Sequence, residues 1–249
     1  MQSLISITFD DGFRCQFERA LPVLDSYGLK ATFFLIANDL PTHDRYTGLH
    51  DNDWWKIDWR ADDIAMLKEV AAGGHEIGSH SVSHHPDLLP IQPELEARES
   101  KRLIETRLGI KVFSFCYPFY WSHSCLAEAV KGAGYEQARG GGAPPGYVPS
   151  ASYYTISGGT ALDRFNVDCR QISECENVRG WVREGCWHVL TYHGIGGDQD
   201  GWEPVTAEQF SSQMADLAGL RDSGAVEVVT FKDGASRISR QRGPGFELS

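Results

Sequence analysis

The sequence lacks several features that would each indicate a particular class of protein. None of its six cysteines forms a C-x-x-C pair, so isolated buried thiols are expected rather than a zinc–thiolate site. No stretch approaches the roughly 20 apolar residues of a membrane span. The net charge of -11 argues against binding to nucleic acid or to anionic membranes. No internal repeat or low-complexity segment is present, and one domain over residues 1–249 is expected.

The beginning of the chain also lacks a leader pattern. Met1-Gln2-Ser3 runs directly into a strand-like segment, without a basic region and an apolar h-region before it. This predicts a cytoplasmic protein, or a secreted one if a preceding leader has been removed. The sequence does not define an oligomeric state.

Short apolar runs alternate with helical patterns along most of the chain. The clearest strands are expected at residues 4–9, 31–36, 76–79, 112–117, 187–192 and 226–230, and the clearest helices at 62–72, 93–108, 124–133 and 207–223. Such alternation is typical of an α/β fold with a parallel sheet, and about seven units suit closure into a barrel. Residues 139–150 are rich in glycine and proline and are predicted to form a turn-rich loop.

Two adjacent aspartates, Asp10 and Asp11, follow the first predicted strand. Adjacent carboxylates repel unless a cation or separate partners keep both charged. Successive side chains on a strand point to opposite faces, so both aspartates can share one site only if the strand ends there. Gly12 permits that turn. The carboxyl ends of the strands in a parallel barrel are where catalytic groups gather.

Two histidines, His80 and His84, follow a later short strand and are four residues apart. Residues at this spacing on a helical turn face the same side, so both imidazoles can meet one aspartate at the same rim. Two nitrogen ligands and one oxygen ligand leave a coordination position open, as in catalytic zinc sites. His85 is the alternative to His84, and the four-residue step favours His84.

Three segments together resemble motifs of the polysaccharide deacetylase family (NodB homology domain, carbohydrate esterase family 4). They are Thr8-Phe9-Asp10-Asp11-Gly12, His80-Ser81-Val82-Ser83-His84 and Leu190-Thr191-Tyr192-His193, in the order found in the family. The resemblance implies a distorted (β/α)7 barrel of parallel strands, with the active site at the C-terminal rim. It also implies metal-dependent removal of N- or O-linked acetyl groups from a carbohydrate substrate.

The resemblance implies a role for each matching residue. Asp11, His80 and His84 would bind a divalent metal, Zn2+ in the first place, with Co2+ or Ni2+ as alternatives. Asp10 would be the general base for attack by a metal-bound water, and His193 would be the general acid.

Two further contributions are implied near the acyl group. The backbone N–H of Phe119 and the metal would stabilise the oxyanion. A carboxylate would orient His193, and Asp163 and Asp168 compete for that role.

One segment departs from the family pattern. Phe115-Cys116-Tyr117-Pro118-Phe119-Tyr120 resembles the third motif, but Cys116 stands where many members have an arginine that orients the base. A thiol cannot supply that charge. Arg170 is predicted to replace the missing arginine in the catalytic site, and Arg139 and Arg164 are the next candidates.

Several tryptophans lie in loops that are expected to overhang the same rim. Aromatic faces stack on sugar rings, although they also bury large areas in packing. The predicted substrate contacts are Trp54, Trp55, Trp121 and Trp202.

Two alternatives to a carbohydrate deacetylase remain at this point. One is an amidohydrolase of the same fold that acts on a small non-sugar amide or cyclic imide. The other is a non-catalytic carbohydrate-binding protein, against which a base and an acid beside a metal site argue. The sequence does not distinguish an amine from an alcohol as the leaving group.

Overall fold

The computed structural model describes residues 2–38, 56–140, 153–155, 162–172, 177–180 and 182–240, with the backbone alone for 153–155, 239 and 240. The strands are β1 (Ser3–Phe9), β2 (Ala31–Leu35), β3 (Glu76–Ser79), β4 (Ser114–Cys116), β5 (Gln137–Arg139), β6 (Tyr153–Thr155), β7 (Arg170–Gln171), β8 (Cys186–Tyr192) and β9 (Val226–Val228). The helices are α1 (Leu21–Ser26), α2 (Ala61–Ala72), α3 (Leu88–Ile91), α4 (Pro93–Leu108), α5 (Ser124–Gly132), α6 (Ala207–Asp222) and α7 (Phe231–Arg240). A π-helical turn, Gln16–Ala20, precedes α1.

The strands form one curved sheet in the spatial order β5-β4-β3-β2-β1-β8-β6. β1 is central and pairs in parallel with β2, β8 and β9. Val167 forms a parallel bridge with Arg139 of β5, and β7 pairs in parallel with β8. The segment from residue 167 to 171 therefore closes the curved sheet between β5 and β8. β6 alone runs antiparallel among the described strand pairs. This arrangement is the predicted distorted barrel of parallel strands.

Strand alternation gives the sheet two different faces. Phe9 faces the helices, where its ring stacks on that of Phe33 with centroids 4.9 Å apart. On the opposite face, Thr8 Oγ1 lies 3.2 Å from Thr191 Oγ1, and Trp187 Nε1 donates to Ser6 Oγ at 3.0 Å. The barrel interior is thus lined with hydroxyls as well as apolar groups, and residues that continue the inward alternation of β1 enter a polar space.

Helix α7 covers the amino-terminal end of the barrel. Glu76, at the start of β3, is buried and accepts hydrogen bonds from Lys232 N at 2.8 Å and Thr32 Oγ1 at 2.9 Å. Burial raises the pKa of this carboxyl, and Ser114 Oγ also donates to it, at 2.5 Å. Because the amino-terminal end is closed in this way, the carboxyl ends of the strands are the open face at which a site can form.

The helix ends follow the local sequence. α4 ends at Gly109, which has a left-handed φ of 69° and donates its N–H to Glu105 O at 2.9 Å. α6 begins with the predicted capping box, in which Thr206 and Gln209 bond to each other's backbone N–H. Five elements were not predicted: α3, β5, β6, β7 and α7. The last residue of β5 had been assigned to the loop 139–150, of which residues 141–150 lie outside the described part of the chain.

Gly78 allows a close approach between β3 and a neighbouring ring. A Cβ at this position would lie 2.5 Å from Phe34 Cδ1 and 3.2 Å from Ser114 O. We expect Gly78→Ala to lower the free energy of unfolding by about 1–3 kcal/mol through overpacking. Gly132→Ala is the control, because an added Cβ meets nothing within 4 Å at the end of α5. Urea unfolding midpoints measure both, and equal stability of the two variants would contradict the close packing.

Candidate active site

The two aspartates leave β1 in different directions. Asp10 continues the inward alternation of the strand, whereas Asp11 has a left-handed φ of 72° and Gly12 one of 75°. The turn predicted at Gly12 is present and begins one residue earlier. Both carboxyl side chains are buried. They therefore face one region from two sides, and each needs its own source of positive charge.

A carboxylate and two imidazoles converge at the carboxyl ends of β1 and β3. Asp11 Oδ1 lies 3.4 Å from Nε2 of His80 and 3.4 Å from Nε2 of His84. One ligand atom from each residue lies within 4.8 Å of the others. The structure thus brings together the three residues that were predicted to bind a metal.

The protonation pattern of this cluster suits a bound cation. Nδ1 of His80 lies 2.9 Å from the carbonyl oxygen of Cys116, which can only accept, so in the neutral ring Nε2 carries the lone pair that a metal ion requires. Asp11 Oδ1 is buried without a hydrogen-bond partner among the described residues. Burial disfavours the charged forms of His80 and Asp11. The attraction between the two groups nevertheless raises the pKa of His80 and lowers that of Asp11. Two nitrogens and one oxygen fit a catalytic zinc site with an open position.

The loop that carries the two histidines is not helical. The helical turn that was predicted to bring them together is therefore absent, and the loop does so instead. Ser81 and His84 have left-handed φ values of 67° and 50°. Glu96 of α4 stabilises this loop, because its carboxylate accepts the N–H groups of Val82 and Ser83, both at 2.9 Å. Glu96 lies on the buried face of its helix, and a carboxylate in that position indicates a hidden partner. That signal is present in the sequence, although Glu96 was not among the predicted site residues.

Asp10 is paired with a buried arginine. Nη2 of Arg139 donates to Asp10 Oδ1, and the two side chains are 0% and 2% exposed. Other guanidinium contacts reach Cys116 Sγ, Cys169 Sγ and Thr191 Oγ1, each at 2.9 Å. Burial alone would raise the pKa of Asp10, but Arg139 and the neighbouring histidines outweigh it and lower the pKa. Asp10 is therefore held in the ionised form that a general base requires.

The guanidinium beside Asp10 belongs to Arg139 and not to Arg170, the first candidate. Arg139 is the register partner of Cys116 across β4 and β5, so side chains from both positions point into the same interior space. Arg170 is in register with Leu190, which packs in the helix-facing core. Strand alternation therefore directs Arg170 to the other face of the sheet.

A second group of potential ligands overlaps the first. Asp10, His80 and Cys116 also have ligand atoms within 4.8 Å of one another. However, Arg139 already donates to Asp10 and, at 2.9 Å, to Cys116 Sγ. A metal ion there would face a fixed positive charge. Electrostatics therefore favours Asp11, His80 and His84 as the metal site.

His193 follows β8 and lies beside Asp10. Its Nε2 is 3.6 Å from Asp10 Oδ2, and burial lowers the pKa of this histidine. Nδ1 has no hydrogen-bond partner among the described residues. Asp163 and Asp168, the carboxylates considered for orienting the ring, each accept a backbone N–H close to their own position in the chain. Neither of them holds His193 through Nδ1.

A buried glutamine that the sequence analysis did not single out joins the ends of two strands. Gln16 Nε2 donates to the carbonyl oxygens of Asp10 and His193, at 2.6 and 3.0 Å. A buried amide that satisfies two strand-end carbonyls fixes the spacing between the candidate base and the candidate acid. No sequence pattern pointed to it, because its neighbours Glu18 and Arg19 are also polar and nothing local marks Gln16 as buried.

Phe119 lies next to Asp11, His80 and His84, which form the candidate metal triad. Its backbone is left-handed, with φ 57°, and its ring centroid is 4.5 Å from that of His84. The next residue, Tyr120, is also left-handed and packs edge-on to His193 at 6.3 Å. The segment predicted to supply an oxyanion donor is thus in contact with His84 and His193. The donor role itself stays a prediction.

The predicted tryptophan contacts divide into two groups. Trp202 is half-buried, and its ring centroid is 4.7 Å from that of His193, so it borders the site. Trp121 is half-buried and packs against the ring of His123 at 5.0 Å. Trp54 and Trp55 lie outside the described residues.

The polysaccharide deacetylase family model matches residues 1–138, more than half of the chain. The chain belongs to the polysaccharide deacetylase family. The matched region contains both aspartates and both candidate metal histidines, and it ends one residue before Arg139. The predicted family is thereby confirmed.

Individual relatives agree with this family. A chitin deacetylase from Pestalotiopsis sp. is 31% identical over 133 residues, which are 52% of this chain and 39% of the relative. The chain spans less than half the length of the curated relatives it matches. Among the described residues, no helix is long and apolar enough to cross a membrane.

Solved structures share the fold. The Xyl-CE4 domain of a multidomain xylanase from the hindgut metagenome of Trinervitermes trinervoides matches with a TM-score of 0.60 and 18% identity, over 99% of this chain and 95% of that one. A family 4 acetyl xylan esterase from Clostridium thermocellum, in complex with a cobalt ion, matches with a TM-score of 0.57 and 22% identity, over 94% and 90% of the two chains. At these identities the likeness establishes the distorted barrel and nothing further.

The candidate metal triad can be tested by substituting one histidine at a time and measuring zinc affinity. We expect His84→Ala to weaken zinc affinity by more than about 100-fold, above the effect usual for residues that only support a ligand. His85→Ala is the matched control and should retain the metal, because its ring Nδ1 accepts Asp87 N–H at 3.2 Å instead. Competitive chelator titration measures both variants. If His85→Ala loses zinc and His84→Ala does not, the second histidine ligand is His85 and not His84.

Proposed function

We propose that this member of the polysaccharide deacetylase family is a metal-dependent hydrolase that removes acetyl groups from a carbohydrate, with residues 1–249 forming one domain. The observation that supports this most directly is the placing of Asp10. It lies between the buried guanidinium of Arg139 and the ring of His193, at the edge of a cluster of three metal-ligand side chains. A binding protein has no need of an ionised base and a histidine beside such a cluster.

Asp11, His80 and His84 would hold the metal, with Zn2+ as the first choice. When bound there, a divalent cation polarises the acetyl carbonyl and lowers the pKa of water towards about 7. In this mechanism the Asp10 carboxylate removes a proton from the attacking water. Arg139 keeps that carboxylate charged and oriented, so that Oδ2 remains directed towards His193.

His193 completes the proton transfer. The distance of 3.6 Å between Asp10 Oδ2 and His193 Nε2 lets a proton taken up by the base pass to the imidazole and on to the leaving atom. Burial lowers the pKa of His193, so the ring is neutral before the reaction. For the same reason it readily gives up a proton that it has received. The backbone N–H of Phe119 would stabilise the oxyanion.

The same attack serves an amide and an ester, so the substrate requires a direct assay. Acetate release is measured on acetylated xylan, chitin oligomers and peptidoglycan fragments, with a cyclic imide as the non-carbohydrate arm. We expect release from at least one acetylated carbohydrate and none from the imide. Hydrolysis of the imide alone would replace this proposal with the small-amide alternative.

The base is tested by Asp10→Asn. We expect this variant to retain the metal, because Asp10 is not in the metal triad, and to lose at least about 10²-fold in turnover, the scale of general-base catalysis. Acetate release and metal content are measured on the same preparation. Near-normal turnover with the metal retained would contradict the role given to Asp10.

The buried arginine is tested by moving it. We expect Arg139→Ser to unfold about 3–5 kcal/mol more easily and to lose turnover, because it leaves Asp10 buried without its cation. Cys116→Arg combined with Arg139→Ser should recover part of both losses, since residues 116 and 139 are register partners. Arg170→Ala is assayed beside them. Loss of turnover in that variant, with Arg139→Ser active, would return the role to Arg170.

A further inference from the structure

A chain of three polar side chains runs from the barrel interior to the surface. Tyr120 Oη donates to Gln171 Oε1 at 2.8 Å, and Gln171 Nε2 donates to Glu203 Oε2. Tyr120 and Gln171 are buried, whereas Glu203 is exposed. The amide has its oxygen towards the hydroxyl donor and its nitrogen towards an obligate acceptor, so only one orientation satisfies both ends. The chain therefore fixes one oxygen of an exposed carboxylate.

Tyr120 at one end of this chain, and Trp202 next to the other end, both pack against His193. The ring of Tyr120 lies edge-on to His193 at 6.3 Å, and Trp202, the residue before Glu203, lies edge-on to it at 4.7 Å. Gly194, the residue after His193, donates its N–H to Trp202 O at 3.3 Å. Glu203 thus stands at the border of the candidate active site, on the side of the candidate acid.

The backbone at Glu203 is held against its intrinsic preference. Its φ is 37°, in the left-handed region, and Pro204 follows it. Proline disfavours helical conformations in the residue before it, so an extended backbone would be usual here. The loop is held on both sides, because Val205 also donates to Gly194 O at 3.1 Å. Strain of this kind persists only where the surroundings enforce it, and it is concentrated at ligand sites.

We infer that Glu203 is a substrate-positioning residue that accepts a hydrogen bond from a hydroxyl or ammonium group of the carbohydrate bound beside His193. This inference rests on the proposed deacetylase function. Gln171 is the only hydrogen-bond partner of the Glu203 carboxylate within the described part of the chain, so this exposed side chain keeps acceptor capacity for a ligand. A fixed negative charge there favours neutral or cationic sugars over sugars that carry a carboxylate.

The test compares two substrates that differ in charge and share the linkage that the wild type cleaves. For amides these are chitin and hyaluronan oligosaccharides, and for esters they are neutral and glucuronate-branched acetylated xylooligosaccharides. We expect Glu203→Gln to raise KM for the neutral sugar about tenfold, the scale of one hydrogen bond to a charged group, with little change in kcat. KM for the anionic sugar should fall in the same variant.

The controls separate substrate contact from stability. Glu208→Gln removes an exposed carboxylate on the first turn of α6 and should leave both KM values unchanged. Tyr120→Phe breaks the first hydrogen bond of the chain and should shift both KM values as Glu203→Gln does, by less. Unchanged KM values in Glu203→Gln, or an equal loss of kcat on both sugars, would overturn the inference.

The outcome also distinguishes this inference from the proposed function. If the wild type releases no acetate from any substrate, the deacetylase proposal fails, and binding of the same oligosaccharides is then measured by calorimetry. An opposite shift of Kd for the neutral and anionic sugars in Glu203→Gln would still support the role of Glu203. The same Kd values as in the wild type, or no binding at all, would overturn it.

Discussion

Two buried carboxylates side by side stay charged only if positive charge reaches each of them from a different direction. Asp10 receives it from Arg139, inside the barrel, and Asp11 receives it from two imidazoles and the cation that they can bind. Removing a carboxylate from water costs several kcal/mol, so neither charge would persist without its partner. This division of charge assigns Asp11 to the metal and leaves Asp10 for proton transfer.

The barrel supplies the space that this division requires. Cys116 and Cys169 are small side chains whose sulfur atoms contact the guanidinium, so Arg139 fits where larger residues would exclude it. A polar interior wall, including Thr191 Oγ1, accepts another of its donors. Burial raises the pKa of both thiols, which therefore stay protonated and do not compete with Asp10 for the positive charge.

The amino-terminal end and the carboxyl-terminal rim of the barrel have different tasks. Glu76 and α7 close the amino-terminal end, where buried polar groups serve packing. At the rim, Gln16 fixes the ends of β1 and β8, and Glu96 fixes the loop of the two histidines. The non-glycine positions with left-handed backbone, among them Asp11, His84 and Phe119, lie mostly at this rim, which is where a catalytic site demands conformations that strands do not provide.

Local patterns determined much of the site correctly. The end of β1 at the double aspartate, the pairing of His80 with His84, and the capping box of α6 each depend on residues close together in the sequence. The explanation offered for the histidines was nevertheless wrong, because a helical turn was assumed where Ser81 and His84 adopt left-handed conformations. A spacing of four residues is compatible with both geometries, so it predicts convergence but not the backbone that achieves it.

The sequence by itself determined the family, the parallel barrel and the set of groups available for chemistry, since motifs and alternation are local properties. Only the tertiary structure decided which arginine serves Asp10 and how Glu203 is held. Arg139 reaches Asp10 because β5 lies in register beside β4, and Gln171 reaches Glu203 because β7 closes the barrel against β8. Register between strands distant in the chain is fixed by packing of the whole sheet, and no single segment encodes it.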